Sequence, residues 1–493
     1  MTRTIPLTLS ALLLACAVSA AAETAAADNA PVDLPRIGEP ADVALSPMEE
    51  QRIGSRITAE LYARDYILED AEVTEYVAAL TWRLVAAAEA EPPDLTVFVM
   101  RDPRINAFAL PGGFLGINAG LLTTVRNESE LAGVLSHELA HVTQRHIART
   151  MEGTQAASLA TWAAVLAAIV AASANPEVVI AALSLGQAAN YQREVNFTRA
   201  HELEADRIGI RTLSRAHFDP QAVASFFVRL EQQSRLYGNQ VPEFLRTHPV
   251  NTTRISEARM RAAALPKQKV ADPLEFSLMQ ARARALTTER PSQASEYFLG
   301  QIGTGAGAAG DRYGLAISLA RLGEYERAMK ALRPAINDFP RQPNLALLEA
   351  RIALAQGQPD QALARIERAL THYPRYAPAI LEYADTLLTA GKPDAARQVL
   401  LSHEQSLGTR METHRLLAFA ARDAGQTVEA QYQMANYLFE RGDAGGALAQ
   451  LDAALRLASL SSQERSKLKA RRLEIVASSA DLTRQQQRPP PER

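Results

Sequence analysis

Residues 134–146 read VLSHELAHVTQRH and set His137, Glu138 and His141 inside a stretch that would otherwise pack as an apolar helix. A buried uncharged polar group without a partner costs about 1–3 kcal/mol, so these side chains need something that satisfies them together. On a helix, positions four apart lie about 40° apart around the axis. His137 and His141 therefore face the same way and can share one divalent cation, with Glu138 beside that face and within reach of a water on the ion. This is the H-E-x-x-H arrangement. Zinc held this way lowers the pKa of its water and polarises a scissile carbonyl, while the glutamate takes the water proton and later delivers it to the leaving amine. The rival reading is a polar helix face with ordinary exposed histidines. His146 falls five residues after His141, off the shared face, and reads as a surface residue.

A catalytic zinc needs a third protein ligand and one open position. The same helix does not continue into a third histidine, because Gln144 and Ile147 occupy the places that would need Gly and His. RAHELEADRIGI, residues 199–210, is the best source elsewhere. Glu202 and Asp206 share a helix face there, whereas Glu204 points away. Glu202 can bind the ion, and Asp206 can accept from the other ring N–H of a ligand histidine and so fix its tautomer. His201 competes for the ligand role although it does not share that face, and a solvated acidic surface is the alternative for the whole stretch.

The elements that must position these residues follow from local patterns. SPMEEQRIGSRITAEL opens a helical section over about 47–91 on Ser46-Pro47, and Pro92-Pro93 ends it. LTVFVM (95–100) reads as a strand. RINAFALPGGFLGINAGLL (104–122) reads as strand, Pro-Gly-Gly turn, strand and exit into a helix. Residues 128–150 read as one long helix capped near Asn127. A peptide substrate can lie as an added strand along the edge offered by Asn106, Ala107, Phe108 and Ala109, an ordinary sheet strand being the plainer reading.

The chain has 493 residues, enough for two to four domains, and a formal net charge of −3, which gives no electrostatic footprint for nucleic acid. MTRTIPLTLSALLLACAVSAAA has the charged start, short apolar core and small-residue end of a signal peptide cut after Ala20 or Ala22. The expected location is therefore periplasmic. Leu13-Leu14-Ala15-Cys16 also resembles a lipobox, which would anchor the protein at Cys16, its only cysteine. Residues 23–45 read as a linker. The nearly uncharged run 155–174 reads as a buried or substrate-covering helix pair, with a membrane span as the alternative.

From about 275 the sequence repeats every 34 residues. Ala294, Ala328, Ala362, Ala396 and Ala430 keep that spacing, and Gly323, Gly357, Gly391 and Gly425 each precede an alanine by five. This pattern resembles tetratricopeptide repeats, whose small residues let paired helices approach and whose glycine permits the turn. The expected fold is α+β and mostly helical: an HExxH zinc-peptidase domain with a small β-sheet (46–268), then an α-solenoid of tetratricopeptide repeats (275–478). Residues 479–493 are expected to be a disordered tail.

His137-Glu138-x-x-His141 followed by Glu202-x-x-x-Asp206 resembles the zinc endopeptidases that include the prenyl-protein (CAAX) protease and the membrane heat-shock protease HtpX. With the export signal and the repeats, the chain is similar to the periplasmic β-barrel assembly-enhancing branch of that family, over nearly its whole mature length. In that branch a His-Pro pair follows the Glu helix, and THPVNTTRI (247–255) supplies His248-Pro249 and Arg254. The resemblance implies one zinc ion per subunit, with His248 approaching it as a fourth ligand that restrains activity and Arg254 behind the ligands. It also implies that the stretch around Asn106 lines the substrate cleft. The implied partners are unfolded or misassembled outer-membrane proteins and the β-barrel assembly machinery, with chaperone-like support of that assembly and peripheral membrane contact left open. The residues alone say less: 247–249 mark a loop before a helix starting near Thr252, and the repeats bind protein. A repeat scaffold with an idle peptidase domain, or a relative inserted in the membrane through residues 155–189, are the competing functions.

Overall fold

The computed structural model describes residues 45–150, 199–237, 243–306, 308–408 and 410–486. The expected signal peptide, all of the linker but its last residue, and the apolar run 155–174 lie outside the described residues. Among the described residues no helix is long and apolar enough to cross a membrane.

Helix α1, Pro47–Ala63, opens through a capping box in which Ser46 and Glu49 exchange hydrogen bonds. Pro47 sits in the first turn, where its missing N–H costs nothing. Asp70 caps α2, Ala71–Ala87, by accepting from the Val73 N–H. Three strands follow: β1 Thr96–Met100, β2 Ala107–Leu110 and β3 Phe114–Asn118. β3 is central, parallel to β1 and antiparallel to β2. The hairpin between β2 and β3 turns at Gly112 and Gly113, whose φ values of 77° and 85° need residues without a side chain. β2 has a strand neighbour on one side only among the described residues.

β3 runs directly into α3, Ala119–Thr124, and Asn127 then caps α4, Glu128–Thr143, by accepting from the Glu130 N–H. Every residue of α4 is buried, so this helix forms the centre of the peptidase region and packs against β2. The expectation of one helix over 128–150 is corrected here. Helix α4 stops at Thr143, Arg145 adopts φ 49°, and a short helix α5, His146–Thr150, leaves in a new direction. Arg145 is held in that conformation by tertiary contacts: its guanidinium lies 3.0 Å from Glu50 and donates to the Leu45 carbonyl at 2.7 Å. Helix α6, Arg199–Arg215, lies along α4, and α7 (Gln221–Tyr237), α8 (Glu243–Thr247) and α9 (Thr252–Ala263) close the other side.

From Leu274 the chain forms antiparallel helix pairs: α10 (Leu274–Thr287) with α11 (Pro291–Gln301), α12 (Ala309–Arg321) with α13 (Tyr325–Asp338), α14 (Pro343–Ala355) with α15 (Pro359–His372), and α16 (Ala377–Thr389) with α17 (Pro393–Ser402). Helices Met411–Asp423, Thr427–Glu440, Ala444–Leu455 and Ser462–Gln486 continue the array. Gly323, Gly357, Gly391 and Gly425 have φ of 78°, 74°, 69° and 72° and make the turn inside successive pairs. Ala294, Ala328, Ala362 and Ala396 are buried where the paired helices touch. The expected tail is also corrected: the last helix runs to Gln486, because nothing between 479 and 486 breaks it before Pro489, and 487–493 lie outside the described residues.

The array folds back onto α2. Glu72, fully buried, takes hydrogen bonds from Arg351 at 2.5 Å, Asn344 at 2.6 Å and Tyr313 at 3.3 Å, and lies 3.2 Å from Arg282. Arg282 also grips Asp70 through two donors at 2.8 and 2.6 Å. Burial pushes the Asp70 carboxyl up, but the Arg282 charge and hydrogen bonds outweigh it and hold its pKa below the usual value. Because the folded-state pKa is depressed, this stabilisation is present above the unfolded value of about 3.9 and is lost as pH falls through the lower folded value. Arg282→Met removes the guanidinium from Asp70 and one of the two that meet Glu72, and should cost about 3–5 kcal/mol at neutral pH. Urea unfolding with an unchanged midpoint would show that the ion network does not hold the array in place.

Candidate metal centre

α4 and α6 approach closely because Gly209 has no side chain: a Cβ there would lie 3.1 Å from the His137 nitrogen and 3.2 Å from its Cα. That contact brings the acids of α6 against the imidazoles of α4. His137 Nε2 lies 3.0 Å from His141 Nε2, 3.3 Å from His248 Nδ1 and 3.5 Å from Glu202 Oε2. Glu202 Oε1 lies 3.4 Å from His141 Nε2 and 2.9 Å from His248 Nδ1. His137, His141, Glu202 and His248 are all buried, and one ligand atom from each lies within 4.8 Å of every other. Tetrahedral zinc with bonds of about 2.0–2.1 Å separates its ligand atoms by about 3.3 Å, so the observed separations fit such an ion.

Neighbouring elements hold this group. The His248 ring stacks on Phe244 with centroids 5.0 Å apart, its backbone N–H donates to the Phe244 carbonyl, and Phe244 N–H donates to Ile105 just before β2. Arg254, capped into α9 by Asn251, donates to both Asp206 oxygens at 2.7 and 2.8 Å and lies 2.7 Å from Glu202 Oε2. It also donates to the Pro249 carbonyl at 3.1 Å, which ties the His-Pro turn to α6. Asp206 Oδ1 lies 3.0 Å from His137 Nδ1.

The electrostatics also suit a cation. Burial pushes His137 down, but Asp206 and Glu202 outweigh it and raise its pKa to about 10, so the pocket is anionic enough to retain positive charge. Burial pushes Glu202 up, yet His248, His137 and His141 together hold its carboxyl well below the usual range. Burial likewise raises Asp206, and Arg254 more than reverses it. Desolvation holds His141 well below its ordinary value and His146 below its own. Both carboxylate oxygens of Glu138 are buried and receive no hydrogen bond among the described residues; His248 Nε2 is 3.4 Å from Oε1. A desolvated carboxylate without donors is costly.

The sequence expectation for His146 is corrected. It is buried, not on the surface, because the break at Arg145 turns it back toward α4, where its Nδ1 lies 2.9 Å from Nδ1 of His141. Glu204 does point away from the Glu202–Asp206 face, and meets His146 Nε2 at 3.0 Å. His201 stays outside the ligand group and stacks on His146. Asn106 and Ala107 are buried, and Phe108 packs edge-on against Phe98 across the sheet. The Asn106 side-chain oxygen has no hydrogen-bond partner among the described residues.

Fold and site together define a metallopeptidase region followed by a tetratricopeptide array. Residues 71–262 match Peptidase family M48, and 353–405 and 428–453 match tetratricopeptide repeats. The "Beta-barrel assembly-enhancing protease" of Yersinia pestis is 35% identical over 334 residues, covering 67% of this chain and 68% of the relative. That of Escherichia coli (strain K12) is 34% identical over 332 residues, covering 67% and 68%. The "Putative beta-barrel assembly-enhancing protease" of Vibrio cholerae is 40% identical over 270 residues, covering 55% of this chain and 56% of that one. The chain belongs to peptidase family M48 and carries tetratricopeptide repeats after its peptidase region.

The α4–α6 contact generates a test. Gly209→Val forces the helices apart although valine has the better helix propensity. It should remove about 1–3 kcal/mol of stability in urea unfolding and lower the bound metal found by elemental analysis. Unchanged stability and metal content would contradict a role for this contact in positioning the site.

Proposed function

We propose that the chain is an exported zinc endopeptidase that hydrolyses misfolded or stalled envelope proteins and supports outer-membrane protein assembly. The peptidase domain spans 46–268 and the repeat domain 275–478. His137, His141 and Glu202 hold the ion, with His248 in the fourth place. When bound, zinc supplies a Lewis acid that polarises the scissile carbonyl and acidifies a water. The observation that carries the reading is Glu138, a buried carboxylate whose two oxygens receive no hydrogen bond among the described residues, beside four converging ligand atoms. Glu138 takes the proton of the attacking water and returns it to the leaving amine.

Asp206 Oδ1, 3.0 Å from His137 Nδ1, orients that ring with its Nε2 toward the ligand group, and Arg254 fixes Asp206 and Glu202. His248 holds the resting enzyme latent until substrate or a partner moves its turn, a reading supported by its 2.9 Å approach to Glu202. The substrate adds a strand along the outer edge of β2, over Asn106, Ala107 and Phe108; the one-sided pairing of β2 and its packing on α4 support this placement. The repeats supply a concave surface for clients. Those clients are unfolded outer-membrane proteins and the β-barrel assembly machinery, in the periplasm; the relatives' names, which speak of β-barrel assembly, support the link to that process.

Cleavage of casein and of an unfolded outer-membrane β-barrel protein tests the proposal. Glu138→Gln should keep one zinc and lose about 10²–10⁴-fold in rate, and His248→Ala should cleave faster than the unaltered protein. Full cleavage by Glu138→Gln removes Glu138 from its role. A zinc-bearing protein inactive in every form, His248→Ala included, points instead to a repeat scaffold.

A further inference from the structure

His141 presents Nε2 to His137 and Glu202 and turns its other nitrogen, Nδ1, toward Nδ1 of His146 at 2.9 Å. His146 in turn faces Glu204 Oε2 through Nε2 at 3.0 Å, and Arg149 donates to the same oxygen at 3.0 Å. His201 covers the His146 ring, with centroids 4.5 Å apart and planes 10° from parallel.

A metal-binding imidazole is neutral, and with His146 neutral beside it one arrangement of protons meets the contacts above. An ionised carboxylate can only accept, so His146 Nε2 carries the hydrogen that points at Glu204. A neutral imidazole has a single N–H, so His146 Nδ1 carries none and accepts. His141 Nδ1 must then donate, which leaves its Nε2 with a lone pair directed at His137 and Glu202.

We infer that Glu204 and His146 form a two-step relay that sets the tautomer of His141, making both of them positioning residues of the metal centre. The inference rests on the metal-binding reading above. It gives α6 three separate tasks: Glu202 among the ligands, Asp206 acting directly on His137, and Glu204 acting on His141 through an intervening ring. It also gives the left-handed Arg145 a purpose, since a continuous helix would carry His146 off the His141 side. The relay is a longer form of the carboxylate–histidine–metal pairing that raises the basicity of a ligand imidazole.

Two measurements on the full chain test it. In zinc-loaded protein labelled with ¹⁵N-histidine, long-range ¹H–¹⁵N correlations should show His141 protonated at Nδ1 and His146 protonated at Nε2. A His146 protonated at Nδ1 overturns the relay, and this readout needs no variant to fold. In competition with a chelator, His146→Leu should bind zinc about 10–100-fold more weakly, while His146→Gln, whose side-chain oxygen can still accept, should recover most of the loss. Wild-type affinity in His146→Leu overturns the relay and leaves the metal reading standing. No zinc binding by the unaltered protein overturns both.

Discussion

At Gly209 the backbones of α4 and α6 come so close that a Cβ would fall 3.1 Å from the His137 nitrogen. Everything polar at the site follows from that approach. One helix carries imidazoles and the other carries acids, and neither set is satisfied by its own helix. Pressed together, they give three ligand atoms, and His248 from the turn after α8 brings a fourth, all within 4.8 Å of one another in a buried setting. Leu131, Leu135, Leu139 and Ala140 of α4 pack in the core with Ala205, Ile208 and Leu213 of α6, so packing energy holds the polar groups in register.

Charge balance then shapes the surroundings. Glu138, Glu202 and Asp206 are buried together, and Arg254 is the guanidinium that meets two of them. A single cationic side chain does not compensate three desolvated carboxylates, and His137 retains a proton up to about pH 10 through Asp206 and Glu202. A divalent cation is the natural completion of such a pocket. The same helix–turn unit that supplies Arg254 also carries His248, so the group that neutralises the site and the group that fills its fourth place are mechanically linked through Pro249. A second buried charge network, centred on Glu72, fastens the repeat array to α2.

Much of this was legible in the sequence because it is written in fixed spacings. His137 and His141, and Glu202 and Asp206, are each four apart, and helical geometry alone puts each pair on one face. The repeat glycines were readable because every one of them makes the same left-handed turn. What escaped was set by contacts remote in the chain. The break at Arg145 has no Gly or Pro to announce it; Glu50 and Leu45, about a hundred residues earlier, hold it. A continuous helix therefore places His146 away from the site, whereas the chain bends it toward His141 and Glu204. Glu72 and Arg282 carried no signal either, since a charge destined for a buried interface looks like a solvated one until its partner is known.

The most direct measurement is anomalous scattering at the zinc edge from crystals of the full chain grown after zinc equilibration. The account predicts one strong peak about 2.0–2.2 Å from His137 Nε2, His141 Nε2 and a Glu202 oxygen, with His248 Nδ1 at a similar distance. A zinc-equilibrated crystal with no peak among these four side chains, or a peak bound elsewhere, would contradict it.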